Sequence, residues 1–173
     1  MNIHPIEAEI FPQYFTARPD EDRPVGNGET VLLVDDEALV RDSVARILQR
    51  YGYTVLTAGT GIAAVEVFRR RQSEISLVIT DVVLPDMNGA ALLHVLRMMA
   101  PGLRAIAISG YAPSSPEIDL LQEDQEHFLA KPFAIAELLV MVRDTLAEAR
   151  EKFQAFEGAR APARRRRLHP HGA

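Results

Sequence analysis

Val31-Leu32-Leu33-Val34-Asp35-Asp36-Glu37 sets a four-residue apolar run directly against three acids. A run this short, with Val at both ends and no helical period, reads as a strand buried on both faces, the kind found inside parallel sheets. Working outward, Leu39, Val40, Val44, Ile47, Leu48 and Tyr51 fall on one helical stripe that Gly52 stops. The alternation then repeats. Strands are expected at Thr54 to Ala58, Leu77 to Thr80, Ala105 to Ser109 and His127 to Ala130. Helices are expected at Ile62 to Arg71, at Ala90 to Met99 before Pro101, at Glu117 to Glu123 after Pro113-Ser114-Ser115-Pro116, and from Ala134 onward. Parallel strands need crossover connections, and here the helices supply them. The expected fold class is therefore α/β, a doubly wound five-stranded parallel sheet covered on both faces.

The rest of the chain fits around that unit. Its 173 residues suit one domain with tails at about 100–200 residues per domain. A 47% hydrophobic and 25% charged composition is that of a globular protein rather than a disordered one. There is no Cys, which excludes disulfides, thiolate metal sites and thiol nucleophiles. Neither a secretory leader nor a membrane span is signalled, and the expected location is cytoplasmic. Residues 1–28 carry Pro5, Pro12, Pro19, Pro24 and Gly26-Asn27-Gly28 without a sustained period, and read as an N-terminal leader or linker. Residues 29–150 form the domain, and residues 151–173 a helix extension and basic flexible tail.

The net charge of −5 is unevenly spread: −3 over residues 1–28, −6 over 29–150 and +4 over 151–173. An acidic body lacks the cationic face that phosphate neutralisation requires, which argues against duplex DNA as its ligand. Arg164 to Arg167 could meet nucleic acid or anionic lipid, but Ala, Pro and Gly around them fit a solvated tail. His169 and His171, with no further ligand nearby, read as tail residues too.

In an open parallel sheet, function gathers beyond the carboxyl ends of the strands. The first strand ends in Asp35-Asp36, the third in Asp81, the fourth in Ser109-Gly110 and the fifth in Lys131-Pro132. Singly each has an ordinary explanation: a helix cap for Asp35 or Asp36, turns for Asp81 and Ser109, a surface amine for Lys131. Jointly they describe a pit. Three carboxylates on one rim must either take up protons or bind a dication, and oxygen ligands without His or Cys favour Mg²⁺. Of nineteen bases seventeen are Arg, and Lys131 is the single Lys before residue 151. A compact ammonium suits a pit where a rigid guanidinium fork does not.

The blocks Val34-Asp35-Asp36-Glu37, Asp81 through Gly89, Ile108-Ser109-Gly110-Tyr111-Ala112 and Lys131-Pro132-Phe133 together resemble the receiver domain of two-component response regulators. They stand in family order and spacing across residues 29–150. The resemblance implies a flavodoxin-like (β/α)5 fold with strand order 2-1-3-4-5. It implies that Asp81 is the phosphoacceptor, with Asp36 holding Mg²⁺ directly, Asp35 mostly through water, and the Val83 carbonyl as the remaining protein ligand. Ser109 then matches the family's hydroxyl switch, Lys131 its phosphate-binding lysine and Phe128 its aromatic switch. Ser stands for the commoner Thr and Phe for the commoner Tyr, so Phe128 has no hydroxyl to bond. The family's cis Lys-Pro bond is expected at Lys131-Pro132, X-Pro being the peptide where cis costs little.

By the same resemblance the donor is a histidine kinase or histidine phosphotransfer protein, and the output is contact with another protein. Alternatives are a detached C-terminal receiver of a hybrid histidine kinase and a scaffold of the same fold that never carries phosphate. One feature lies outside the resemblance. Ile135, Leu139, Val142, Leu146, Ala149, Phe153 and Phe156 repeat in heptad spacing until Gly158. They read either as a stripe facing the domain's own core with a fraying end, or as the seam of a homodimer through the C-terminal helix.

Overall fold

The computed structural model describes residues 25–110 and 127–160, the last thirteen as backbone alone. Five strands, β1 (Thr30–Val34), β2 (Thr54–Ala58), β3 (Ile75–Asp81), β4 (Ala105–Ser109) and β5 (His127–Ala130), form one sheet in the order β2-β1-β3-β4-β5. Every pairing is parallel. Four helices are described: α1 (Ala38–Arg50), α2 (Gly61–Arg71), α3 (Gly89–Met99) and α4 (Ile135–Arg160). The doubly wound arrangement and the strand order expected from sequence are both present.

The apolar spacing explains where each element sits. β1 is enclosed by a strand on each side and helices on each face, so all five of its residues are buried, as its continuous apolar run requires. On one face, Val44, Ile47 and Leu48 of α1 and Ile135, Leu138, Leu139, Val142 and Leu146 of α4 pack over Val31, Leu33, Ile79 and Ile106. On the other, Ala64 and Phe68 of α2 and Leu92, Leu93 and Leu96 of α3 pack over Leu32, Val34, Val78 and Ala107. Alternate residues of each strand thus serve opposite cores. Among the described residues, no helix is long and apolar enough to cross a membrane.

Three expectations need adjustment and one falls outside the described residues. β3 starts at Ile75, two residues before the expected Leu77, because Ile75 pairs with Thr30 across an irregular register step. α4 runs through Gly158 to Arg160; a glycine in a last turn costs only about 1 kcal/mol relative to Ala, which does not compel a stop. Within the leader, Gly26 and Gly28 donate their amides to Tyr51 O and Gly52 O, at 2.7 and 2.9 Å, so this short piece is laid against the end of α1. The helix expected at Glu117 to Glu123 lies outside the described residues.

Candidate functional site

The parallel register brings the polar strand ends to one rim. Val34 is opposite Thr80, Asp81 opposite Ile108, and Ser109 opposite Ala130, so Asp35, Asp81, Ser109 and Lys131 all emerge at the carboxyl edge. Lys131 Nζ lies 2.9 Å from Asp35 Oδ2 and 2.7 Å from Asp81 Oδ2. The side chains of Asp35 and Asp81 are 6% and 12% exposed and that of Lys131 21%, so one ammonium joins two largely buried carboxylates.

The remaining oxygen of each carboxylate holds its own loop. Asp35 Oδ1 accepts the Glu37 amide and Asp81 Oδ1 the Val83 amide, both at 2.8 Å, which fixes the direction in which each chain leaves its strand. Asp81 is thus a turn former, as its ordinary explanation held. Asp35 forms a turn too rather than the helix cap expected of it or of Asp36, since α1 has Glu37 at its cap position and no side-chain cap bond, and both aspartates are members of the pit as well. Lys131 is held by its backbone, whose amide donates to Ser109 O at 2.7 Å, and the peptide to Pro132 is cis, as expected.

Electrostatics follow from this packing. Burial pushes the Asp35 carboxyl above its ordinary value, against the opposing pull of Lys131. Burial alone would lower the Lys131 ammonium, but its hydrogen bonds to Asp81 and Asp35 outweigh that and hold it above the usual lysine value.

Asp36 is exposed and makes no hydrogen bond or ion pair among the described residues. Val83 is 52% exposed at the mouth of the pit. Ser109 is buried, and it shares a sheet face with Ala107 and hence with Phe128, the residue opposite Ala107. Phe128 is half-buried against the α2/α3 core. The seven residues singled out from sequence therefore fall into a charged pit (Asp35, Asp81, Lys131), an exposed acid next in sequence to it (Asp36), a carbonyl-bearing loop residue beside it (Val83), and a Ser109–Phe128 pair on the α2/α3 face.

Among the described residues, no three acidic or histidine side chains close into a ready cage for a metal. The donor set nonetheless fits a hard dication. Asp35 and Asp81 against one ammonium leave one negative charge uncompensated, and the Asp36 carboxylate next in sequence and the Val83 carbonyl add oxygen donors only.

Two contributors carry no sequence signal. Arg41 donates from Nη1 to Asp35 O at 2.7 Å, bracing the acidic turn from the first turn of α1. Asp86, in the loop after β3, accepts the Gly61 and Ile62 amides at the start of α2, at 2.9 and 2.8 Å. An acid followed by an apolar residue and Asn-Gly looks from sequence like a turn residue and nothing more.

Comparison with known proteins gives a consistent result. The family model of the response regulator receiver domain matches residues 31–143. The sensor kinase CckA of Brucella abortus (strain 2308) is 40% identical over 117 residues, 68% of this chain and 12% of that protein. The probable transcriptional regulatory protein TcrX of Mycobacterium tuberculosis is 35% identical over 124 residues, 72% of this chain and 52% of its own length. The chain thus spans about half or less of these curated relatives. Among solved structures, a CheY-like receiver domain protein from Methanospirillum hungatei JF-1 superposes with a TM-score of 0.66 at 28% identity, covering 72% of this chain and 98% of that one. The receiver domain of the hybrid histidine kinase CckA gives 0.58 at 32% identity, covering 68% and 98%.

Proposed function

The chain belongs to the response regulator receiver domain family, and from that membership we propose that it carries a signal as a phosphoryl group on Asp81. The donor is a phosphohistidine of a histidine kinase or phosphotransfer protein, and the readout is contact with an output protein. The observation that carries this reading is the Lys131 ammonium held between Asp35 and Asp81 at the carboxyl edge of the sheet. An aspartate attacks a phosphoryl group only when the repulsion between the two anions is offset, and that positioned cation supplies part of the offset.

The chemistry is a single displacement. An Asp81 carboxylate oxygen bonds to phosphorus, the P–N bond to the donor breaks, and its electron pair leaves on the imidazole. The product is an acyl phosphate whose new acceptor oxygens Lys131 and Ser109 are placed to meet. Asp35, Asp36, Asp81 and the Val83 carbonyl would hold Mg²⁺, Asp35 mostly through water; the ion, when bound, would neutralise charge accumulating on the phosphoryl oxygens. Inward movement of Ser109 vacates space on the face it shares with Phe128, so Phe128 is the natural reporter of the charged state. The chain acts on no substrate other than its own aspartate, works in the cytoplasm, and signals through residues 29–150.

Identity of 40% to a sensor kinase, of which this chain spans 12%, supports a second reading as the receiver portion of a hybrid kinase. A scaffold that never takes phosphate is disfavoured by the intact, assembled acids and lysine. Ile135, Leu139, Val142 and Leu146 of the heptad stripe are buried in the domain's own core, so a homodimer through α4 rests on the sequence positions beyond them, Phe153 and Phe156.

The test is intact-mass measurement after incubation with acetyl phosphate and Mg²⁺. Wild type gains one phosphoryl group; Asp81→Asn, and wild type in EDTA, gain none. Phosphoryl uptake by Asp81→Asn would remove Asp81 from its assigned role.

A further inference from the structure

The loop between β3 and α3 leaves from Asp81, the last residue of β3, and carries Val83; apart from the Val82 amide, which donates to Ile108 O of β4 at 2.9 Å, its backbone bonds are to itself and its own elements. Val83 bridges to Asn88, and the Gly89 amide donates to Val82 O at 2.8 Å. Asp86 breaks that pattern by reaching across to α2, more than twenty residues away in sequence.

The contact is bidentate. Oδ1 takes the Gly61 amide and Oδ2 the Ile62 amide, while α2's own cap, Thr60 Oγ1, takes the Ala63 amide at 3.1 Å. A helix start leaves its first amides without internal partners, and a side chain from the cap position serves the amide two or three residues on. Here Thr60 does that ordinary work, and the two amides nearest the cap go to an acid from another element. Met87 closes the same seam: a β-carbon on Gly61 would stand 2.5 Å from Met87 Cγ and 2.6 Å from Sδ, so the loop lies directly against the helix start.

Asp86 and Ile62 are exposed while Gly61 is buried, so water could take over at the Ile62 amide but has less access to that of Gly61. What water cannot do is fix the distance and angle between two elements, and a carboxylate using both oxygens on neighbouring amides does. The donors of Ile62 and Gly61 also hold the Asp86 carboxyl below its ordinary value, so it stays ionised and engaged.

We propose that Asp86 is a positioning residue that clamps the phosphoacceptor loop to the N-terminus of α2, making the first turn of α2 part of the apparatus that presents the Val83 carbonyl and Asp81. This rests on the proposed function in one respect, that the loop carries a cation ligand. Linkage then requires reciprocity: a cation that favours the clamped loop must also favour the ordered first turn of α2, by the same factor.

The experiment measures Mg²⁺ affinity by calorimetry and backbone amide exchange of Gly61, Ile62 and Ala63 by NMR, with and without Mg²⁺, on the full chain and on Asp86→Ala and Asp86→Asn. In wild type, Mg²⁺ slows exchange at Gly61 and Ile62. Asp86→Ala is expected to weaken Mg²⁺ binding three- to tenfold and to abolish the effect of Mg²⁺ on those amides. Asp86→Asn, which keeps one acceptor oxygen, falls between. Variants with faster exchange at Gly61 and Ile62 but wild-type Mg²⁺ affinity would make Asp86 a helix cap only and overturn the inference. Wild type that shows no response to Mg²⁺ would overturn this inference together with the cation part of the proposed function, whereas a normal wild-type response matched by Asp86→Ala overturns the inference alone.

Discussion

Replacing Lys131 by Met tests the electrostatics of the pit without relying on phosphate. The change keeps much of the side-chain volume and removes the ammonium that lies 2.7 and 2.9 Å from two carboxylates. At an effective dielectric of about 20, each such pair is worth roughly 6 kcal/mol before desolvation, which cancels most of it. Removing one partner of a fully buried pair costs roughly 3–5 kcal/mol, because the other charge stays behind. Lys131 is 21% exposed, so some water can enter, and we expect a loss of about 2–3 kcal/mol at neutral pH. The assay is urea unfolding in EDTA. Asp35 gives the pH dependence: burial already holds its carboxyl above the ordinary value, and loss of the opposing ammonium raises it further. A group that binds its proton more tightly folded than unfolded favours the fold at low pH and loses that contribution as pH rises through the folded pKa. The cost of Lys131→Met should therefore be full at neutral pH and smaller at about pH 5, toward the ordinary carboxyl range. Combining it with Asp35→Asn, which removes one stranded charge, should bring the loss below about 1 kcal/mol. An equal cost at both pH values, undiminished by Asp35→Asn, would refute the reasoning.

Two further outcomes are expected. Gly26→Val should destabilise by about 1–3 kcal/mol in the same unfolding assay, because a β-carbon there would stand 2.6 Å from the Tyr53 ring and force the docked segment away; a neutral effect would mean that residues 25–28 are not laid against α1 in solution. Light scattering at micromolar concentration should give a dimer for the full chain and a monomer after truncation at Arg150, and two monomers would end the case for self-association through α4.

How much of this was legible in the sequence depends on the range of the signal. Periodicity along Val31 to Met99 yields the strands and helices nearly to the residue, since each apolar position answers to a core within its own element. The pit was legible for a related reason: in a parallel sheet every strand end reaches the same rim, so Asp35, Asp81, Ser109 and Lys131 could be gathered without knowing any distance. Contacts between loops leave no such trace. Arg41 on Asp35 O and Asp86 on the start of α2 depend on how neighbouring crossovers settle together, and nothing periodic links residue 86 to residue 61. Thr145 is a smaller case. It lies outside the apolar stripe read from sequence, yet it is buried, with its hydroxyl donating to Met141 O at 2.7 Å within its own helix.

The two margins of the sheet have a consequence of their own. β5 has four residues and is followed at once by Lys131 and Pro132, and β2 has five, of which Thr54 and Thr57 are exposed. A free strand edge is a template on which another chain can add a strand, and short length, lysine and proline are means by which natural proteins blunt it. The lysine that holds the two aspartates therefore also closes the margin at β5. With so little backbone ladder open on either side, strand addition is a poor route to aggregation for this sheet, and contacts with other molecules fall to the side chains of its helices and loops.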